Sequence, residues 1–322
     1  MKKTGLVLSM IALTVSLSIQ GVLSSEFPSK EIRVIIPFSA GGQSDLTARK
    51  LAEIIQKKKF LSQPMIVVNM PGANTMNGLT TFKNSAKDGH TILLHHTDMI
   101  PQNLFKAIPI HYDDFDMVCQ IMQFPFVITT QGDAKWDSAS QFIADAKANS
   151  GAHMIAAPAP GGATYLAGIM FLKAAGIDQD VLVRPAEGGN DAATALMSKA
   201  VSIRVAGQSD SARFVKGGQE KALMVLSVEK SPVFPDAESI ADINAPAKYA
   251  IQMSSGIWAP KGTPEEIKDA LAEAFKKAVD SPEFQEFMTV QTATPAFLSR
   301  DEWHKVFKNY EKQYQALINE MQ

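Results

Sequence analysis

The chain has 322 residues, of which 46% are hydrophobic and 20% charged, a composition typical of a globular protein and not of a disordered one. The net charge of -2 gives no basic surface for nucleic acid, and a single cysteine excludes an internal disulfide and any metal site built from several cysteines. At about 150 residues per domain, the length accommodates two domains or one large one.

The first 25 residues have the pattern of a secretory signal peptide. Lys2–Lys3 precede the apolar run Leu6–Ile19, which at about 14 residues is shorter than the roughly 20 needed to span a bilayer. Small residues at Ser24 and Ser25 predict cleavage there, with an uncleaved anchor as the alternative. We therefore expect an exported, soluble mature protein.

The rest of the chain alternates short apolar segments with amphipathic ones. In the first amphipathic segment, Leu51, Ile54 and Ile55 share one helical face. Strands are predicted at 32–36, 65–68, 91–94, 126–129, 154–156, 181–183, 201–203 and 224–227. Helices are predicted at 46–58, 78–84, 140–149 and 165–175. This alternation predicts an α/β fold with mostly parallel sheets.

The C-terminal third is predicted to be helical. Its helix starts carry capping residues followed by proline or glutamate, at Thr263–Glu266, Ser281–Glu283 and Ser299–Glu302. These motifs are structural and carry no chemistry. Cys119 is expected to be a small buried hydrophobic residue, and most of the three tryptophans are expected to lie in the core or at the lobe interface.

Three glycine-rich loops each follow a predicted strand and precede a helix. They are Pro37–Asp45, Ala157–Thr164 and Glu187–Asp191. Glycine lets the backbone approach a ligand closely, and the N–H groups at a helix N-terminus favour an anion. Each loop alone could be a simple tight turn, but three together indicate a shared cleft for a small anion. The first two lack arginine and lysine, so a carboxylate held by amides, hydroxyls and water fits better than a phosphate.

Motifs for other functions are missing or weak. The chain has no phosphate-binding P-loop, no dinucleotide-binding glycine motif and no nucleophile elbow. Ser44, Asp45 and a histidine could form a catalytic triad, but their spacing does not indicate one. The segments His95–Asp98 and His111–Asp116 contain possible metal ligands, yet adjacent histidines on a strand point to opposite faces.

The order of several short motifs resembles the periplasmic solute-binding components of tripartite tricarboxylate transporters, the Bug family. The resemblance covers Phe27–Gln322. The motifs that carry it are Phe27–Phe38, Ala40–Gly42, Asp45, Ala48–Arg49, Val67–Asn69, Pro71–Ala73, Asp88–Leu94, Tyr165–Gly168, Trp258–Pro264 and Asp280–Glu283. Each motif is weak alone, but their order and spacing together are specific.

This resemblance implies an α/β, two-lobed type II periplasmic-binding-protein fold with a ligand cleft between the lobes. The implied division is a signal peptide at 1–25, one lobe at 26–126 and 252–322, and a second lobe at 127–251, with crossings near Phe126 and Ile251–Trp258. The implied ligand is a small carboxylate, with no cofactor, metal or catalytic residue. The implied ligand-binding residues are Phe38, Ser39, Ala40, Gly41, Gly42, Gln43, Ser44, Asp45, Thr97, Asp98, Ala159, Pro160, Gly161, Gly162, Ala163, Thr164, Gly188, Gln208 and Ser209.

Some residues depart from the family pattern. Ala156–Ala157 replace a serine or glycine, Gly162 a small polar residue, and Glu187 a residue that is commonly basic. His95–His96 and Asp98 are also unusual beside the first loop. These differences leave the identity of the ligand open.

The expected partners are the small carboxylate and the integral membrane subunits of a transporter, with the binding protein as a monomer and no nucleic acid. One alternative is a receptor that presents its ligand to a sensor kinase. Others are an exported hydrolase or lyase, and a metal-binding protein in which His96, Asp98 and His111 converge.

Overall fold

A computed structural model describes residues 27–158, 161–186 and 189–321. The predicted signal peptide lies outside the described residues, as do Ala159, Pro160, Glu187 and Gly188 of the second and third glycine loops.

Strands and helices alternate along most of the described chain. The strands are β1 (Ile32–Ile36), β2 (Met65–Asn69), β3 (Thr91–His96), β4 (Phe115–Gln131), β5 (His153–Pro158), β6 (Val181–Ala186), β7 (Ile203–Gly207), β8 (Glu220–Val225), β9 (Gln252–Pro260) and β10 (Thr294–Ser299). The α-helices are α1 (Gln43–Lys57), α2 (Met76–Lys83), α3 (Met99–Leu104), α4 (Ala139–Ala148), α5 (Ala163–Ala175), α6 (Gly189–Met197), α7 (Gln208–Lys216), α8 (Glu265–Val279), α9 (Pro282–Val290) and α10 (Arg300–Met321). Short 3-10 turns lie at Tyr112–Asp114 and Ala247–Tyr249.

The strands form two sheet regions that share β4. In the first, β1 pairs in parallel with β2 and β3, β9 pairs antiparallel with β3 and β4, and β10 pairs antiparallel with β4. In the second, β5 pairs in parallel with β6 and β7, while β7 and β8 pair antiparallel with β4. The sheets are therefore mixed, and the prediction of mostly parallel sheets is wrong.

The long strand β4 connects the two regions. Its first part, up to Pro125, pairs with β9, and its second part, from Phe126, pairs with β7. The prediction recognised only 126–129 of these 17 residues. Burial is nearly continuous along the strand, so it has no alternation that would mark it as strand.

Strands β9 and β10 were not predicted, although β9 lies in the centre of the first sheet. Its Ser254, Ser255 and Gly256 are buried polar or small residues that do not look like a strand core. A Cβ atom on Gly256 would clash with the Trp303 ring and the Cys119 carbonyl oxygen. The antiparallel pairing of β9 with β3 and β4 stabilises this strand in place of local propensity.

The C-terminal helices pack an aromatic cluster onto the first sheet. Trp258 and Trp303 are fully buried with ring centroids 4.9 Å apart, and Phe307 lies within 5.2 Å of Trp258. The Trp303 Nε1–H donates a hydrogen bond to the Ser254 hydroxyl at 3.0 Å. Cys119 is buried as predicted, and all three tryptophans are buried where the prediction covered most of them. Burial also raises the pKa of the Cys119 thiol, which keeps it protonated.

No helix in the described ranges is long and apolar enough to cross a membrane.

Candidate functional site: a cavity between the two sheet regions

A cavity of about 490 Å³ lies where the two sheet regions meet. Its wall combines the loop before α1, the end of β3, the middle of β4, the start of β9, and the N-terminal turns of α5 and α7. The lining residues are Phe38, Ser39, Ala40, Gly41, Gly42, Gln43, Ser44, His96, Phe124, Phe126, Thr164, Gly207, Ser209, Asp210 and Met253. None of these residues is a lysine or an arginine.

Asp45 fixes the conformation of the first glycine loop through hydrogen bonds. Its carboxylate accepts a hydrogen bond from the Gly41 N–H at 2.8 Å and another from Arg49 Nε at 2.9 Å. Burial opposes ionisation, but the hydrogen bonds from Arg49 and Gly41 outweigh it and lower the pKa of Asp45. Asp45 is only 3% exposed and does not line the cavity. It therefore orients the loop so that the first turn of α1 faces the cavity.

Ser44 and His96 form the polar wall beside this loop. The Ser44 hydroxyl and His96 Nε2 are 2.8 Å apart, and the His96 ring stacks on Phe38 with centroids separated by 4.6 Å. Burial and the neighbouring His95 lower the pKa of His96 to about 3. Burial also lowers the pKa of His95 to about 4, while its Nδ1 accepts the His96 N–H at 2.7 Å. Both rings are neutral near pH 7, so His96 offers hydrogen bonding and not charge.

Asp98, which directly precedes α3, caps the helix that follows the second glycine loop. Its Oδ1 accepts a hydrogen bond from the Ala163 N–H in the first turn of α5 at 2.6 Å, and Gln102 donates to Oδ2 at 2.6 Å. Burial raises the pKa of Asp98 to about 6, although the Ala163 hydrogen bond acts in the opposite direction. The N-cap residue Gly162 has no side chain to cap α5, so the carboxylate of Asp98 takes that role.

One hydrogen bond bridges the cavity directly. The Gln43 side-chain amide in α1 donates to the Ser209 hydroxyl in α7 at 2.9 Å. Next to Ser209, Asp210 lies exposed in the first turn of α7 and is the ionisable acid on the cavity wall. The cavity is thus closed by polar side chains from both sheet regions.

Of the residues predicted to bind ligand, Phe38–Ser44, Thr164 and Ser209 line the cavity. Others do not line it, namely Asp45, Thr97, Asp98, Gly161, Gly162, Ala163 and Gln208. Thr97 ties β3 to β9 through hydrogen bonds with the Ser254 backbone, and Gln208 donates to the Thr292 carbonyl at 2.6 Å. Ala159, Pro160 and Gly188 lie outside the described residues.

Several lining residues were missing from the predicted set, namely His96, Phe124, Phe126, Asp210 and Met253, while Gly207 lies in the segment 207–209 that the family resemblance implied beside the pocket. His96 was considered only as a possible metal ligand and as a departure from the family pattern. Phe126 and Met253 lie in the segments expected to cross between lobes, and a crossing strand necessarily passes the cleft. Phe126 and Met253 could therefore have been predicted from the sequence as lining residues. Asp210 could not, because its place on the wall depends on where α7 begins.

The described ranges contain no group of three or more histidine, cysteine or acidic side chains able to hold a metal ion. His96 bonds to Ser44, and Asp98 bonds to Ala163 and Gln102. His111 lies instead beside Glu311, with Nε2 and Oε1 2.9 Å apart.

The family model for the tripartite tricarboxylate transporter family receptor, TctC, matches residues 47–322. The chain belongs to the TctC family. Among curated relatives, this TctC protein is 28% identical to Protein BugT of Bordetella pertussis over 285 residues, which cover 87% of this chain and 86% of BugT. It is 26% identical over 298 residues to a protein from the tcbD-tcbE intergenic region of Pseudomonas sp. strain P51, covering 91% and 87%.

Solved structures share the fold of this TctC protein. A TctC solute-binding protein from Polaromonas is 26% identical, with a TM-score of 0.75 and coverage of 91% of this chain and 99% of that one. The periplasmic binding protein BugD is 25% identical, with a TM-score of 0.76 and coverage of 91% and 98%. The expected fold and family are thereby confirmed, and the chain is a solute-binding protein.

Two Rhodopseudomonas palustris structures have the same fold at lower identity. MatC, solved with bound malate, is 23% identical with a TM-score of 0.75 and coverage of 91% of this chain and 100% of MatC. Rpa4515, solved with adipate, is 18% identical with a TM-score of 0.79 and coverage of 91% and 97%.

Proposed function

We propose that this TctC protein is a periplasmic solute-binding protein that captures a small carboxylate in the cavity between its sheet regions. It then delivers the ligand to the membrane subunits of a tripartite tricarboxylate-type transporter. The bound malate and adipate of two proteins with the same fold support a carboxylate ligand. The family match supports the transport role.

The observation that carries this proposal is the convergence of three helix N-termini on one cavity. Residues from the first turns of α1, α5 and α7 line it, represented by Ser44, Thr164 and Ser209. The first turn of a helix has backbone N–H groups without partners inside the helix, and its dipole favours an anion. With no lysine or arginine on the described wall, amides and hydroxyls must hold the carboxylate.

The two sheet regions correspond to the lobes of a clamp, with 26–126 and 252–322 forming one and 127–251 the other. The pairing of β4 supports this division, because its partner changes from β9 to β7 between Pro125 and Phe126. The chain returns at Ile251, whose N–H bonds to the Leu226 carbonyl just before β9. Closure of the lobes would trap the ligand and present the closed form to the transporter.

Thermal unfolding of the purified protein tests ligand capture. Mono-, di- and tricarboxylates, amino acids, sugars and divalent cations would be added separately. A ligand that binds the native state raises the melting temperature by mass action, so we expect a rise with at least one carboxylate. Stabilisation by a sugar or a cation alone, with no response to any carboxylate, would contradict the proposal.

Recovery of the ligand tests the enzymatic alternative. The Ser44–His96 pair has the hydrogen-bonded arrangement of a nucleophile and a base, but a ring with a pKa of about 3 is a weak base at neutral pH. We expect the bound acid to be recovered chemically unchanged after prolonged incubation with the protein. Its conversion into a product would favour a hydrolase or lyase.

A further inference from the structure

The N-terminus of α5 has an internal carboxylate where an anionic ligand group would otherwise bind. Gly162 provides no side-chain cap, and the Ala163 N–H donates to Asp98 Oδ1 at 2.6 Å. Ala163 directly precedes Thr164, which lines the cavity. Asp98 itself is half-buried behind the wall. The positive end of α5 is therefore already compensated by a carboxylate of the chain itself, next to the lining residue Thr164.

At the N-termini of α7 and α1, the acidic residue of the first turn lies in different positions relative to the cavity. In α7, Asp210 lies in the first turn and on the cavity wall. In α1, the acidic residue of the first turn, Asp45, is turned away from the cavity and paired with Arg49. Among the described residues, the N-terminal end of α1, with Ser44 and His96, is consequently the part of the wall where an anion meets hydrogen-bond donors without an acidic residue beside them.

The wall between these ends is largely apolar. Phe38, Phe124, Phe126 and Met253 line it together. These side chains suit a hydrocarbon or aromatic body, because burying apolar surface against them removes it from water. A second carboxylate would extend from α1 toward acidic groups, where like charges repel.

We propose that Asp98 determines specificity by occupying the anion position at the N-terminus of α5, and that the cavity therefore selects carboxylic acids with a single carboxylate and an apolar body. This inference rests on the proposed function and narrows its ligand class. It places the ligand carboxylate against the first turn of α1 and the apolar part against the phenylalanines.

Pairs of acids that differ only in the second carboxylate test the inference. Hexanoate is compared with adipate, and benzoate with terephthalate, by isothermal titration calorimetry on the purified mature protein. We expect the wild type to bind at least one monocarboxylate about tenfold or more tighter than its dicarboxylate counterpart, because the second charge would approach Asp210 on the cavity wall and the nearby carboxylate of Asp98.

Two substitutions separate charge from shape. Asp98→Ala removes the carboxylate and frees the Ala163 N–H, so dicarboxylate affinity should rise about tenfold while monocarboxylate affinity changes less than about threefold. Asp98→Asn keeps an oxygen for the Ala163 N–H, and the buried Gln102 Oε1, which lacks a partner among the described residues, can accept from the new amide. This second variant also covers the case in which the alanine variant does not fold. Asp98→Asn should weaken the preference for monocarboxylates over dicarboxylates through loss of the negative charge alone.

Asp133→Asn is the matched control, since it makes the same change of charge at an exposed residue outside the cavity. It should leave both affinities as in the wild type. Equal binding of adipate and hexanoate by the wild type would overturn the inference and leave the proposed function intact. A monocarboxylate preference unchanged in both Asp98 variants would also overturn it. Absence of binding by any carboxylate in the full panel would overturn both proposals.

Discussion

The glycines of the two described glycine loops have different physical roles. Gly161 has φ of +118°, and a Cβ atom there would lie 2.9 Å from the Ala107 Cβ. Gly42 has φ of -77°, and its nearest neighbour to an added Cβ, the Ser39 carbonyl oxygen, is 3.4 Å away. The backbone itself requires glycine at 161, whereas at 42 the backbone would accept a side chain and only the proposed ligand site favours glycine.

Substitution of Gly161 by alanine should therefore reduce stability. The positive φ disfavours an L-residue by roughly 1–2 kcal/mol, and the contact with Ala107 adds to that cost. Urea denaturation would measure the loss in the free energy of unfolding. Gly42→Ala is the matched control and should lower this free energy less, by about 0.5–1 kcal/mol, because it replaces the N-cap glycine of α1 but strains no positive φ. Equal stability of the two variants would contradict the interpretation.

Substitution of Gly42 by valine should instead impair binding. Gly42 lines the cavity at the N-terminus of α1, so a branched side chain occupies space that the ligand carboxylate needs. We expect affinity for whichever carboxylate the thermal screen identifies to fall at least about tenfold, with the unfolding midpoint nearly unchanged. Binding as tight as that of the wild type would mean that this loop does not hold the ligand.

At the level of elements, β7 and β8 are linked by a buried ion pair. Arg204 donates to both carboxylate oxygens of Glu220, at 3.0 and 3.1 Å, and the two residues are 1% and 2% exposed. The two strands flank β4 on opposite sides, so the pair spans the shared strand of the second sheet region. Removing either partner would leave a buried charge without compensation.

A double-mutant cycle at Arg204 and Glu220 tests the contribution of this ion pair to stability. Arg204→Met should lower the free energy of unfolding by about 3–5 kcal/mol, because Glu220 then loses its counter-charge. The double variant Arg204→Met with Glu220→Leu should recover most of this loss, since no buried charge remains. Denaturant titration of all four proteins would measure the coupling. Additive losses would show that the ion pair is not the source of the effect.

At the level of the whole molecule, Asp98 and His95 ionise with opposite effects on folding stability. Burial raises the pKa of Asp98 from 3.8 to about 6, so between these values the folded protein holds a proton that the unfolded chain releases. Acidification through this window therefore stabilises the folded state relative to the unfolded one. The neutral His95, with its pKa lowered from 6.5 to about 4, has the opposite effect.

Asp98→Asn should consequently change how stability depends on pH. The variant lacks the proton uptake of Asp98, so its melting temperature relative to the wild type should be higher at about pH 7.5 than at about pH 4.5. Calorimetry at a series of pH values would measure this difference, with Asp133→Asn as the control for loss of one surface charge. A difference between variant and wild type that does not vary with pH would show that Asp98 has an ordinary pKa.

Local sequence patterns predicted most of the helices and parallel strands correctly. Periodicity marks α1, and the caps at Ser281 and Ser299 mark the starts of α9 and α10. Patterns failed where tertiary contacts decide the structure. Ser254 and Gly256 of β9 are polar or small, and their strand exists because it completes an antiparallel sheet around Trp303.

The sequence by itself determined the family, the α/β fold and the first glycine loop as part of the cavity wall, because these depend on motif order and on local turn and helix-start chemistry. The tertiary structure alone decided which side chains meet there. In the tertiary structure His96 contacts Ser44, and Gln43 contacts Ser209. The carboxylate of Asp98 contacts the N-terminus of α5 at Ala163, which is 65 residues away in sequence. Hydrogen bonds over such separations depend on how the two sheet regions pack, which no local pattern encodes.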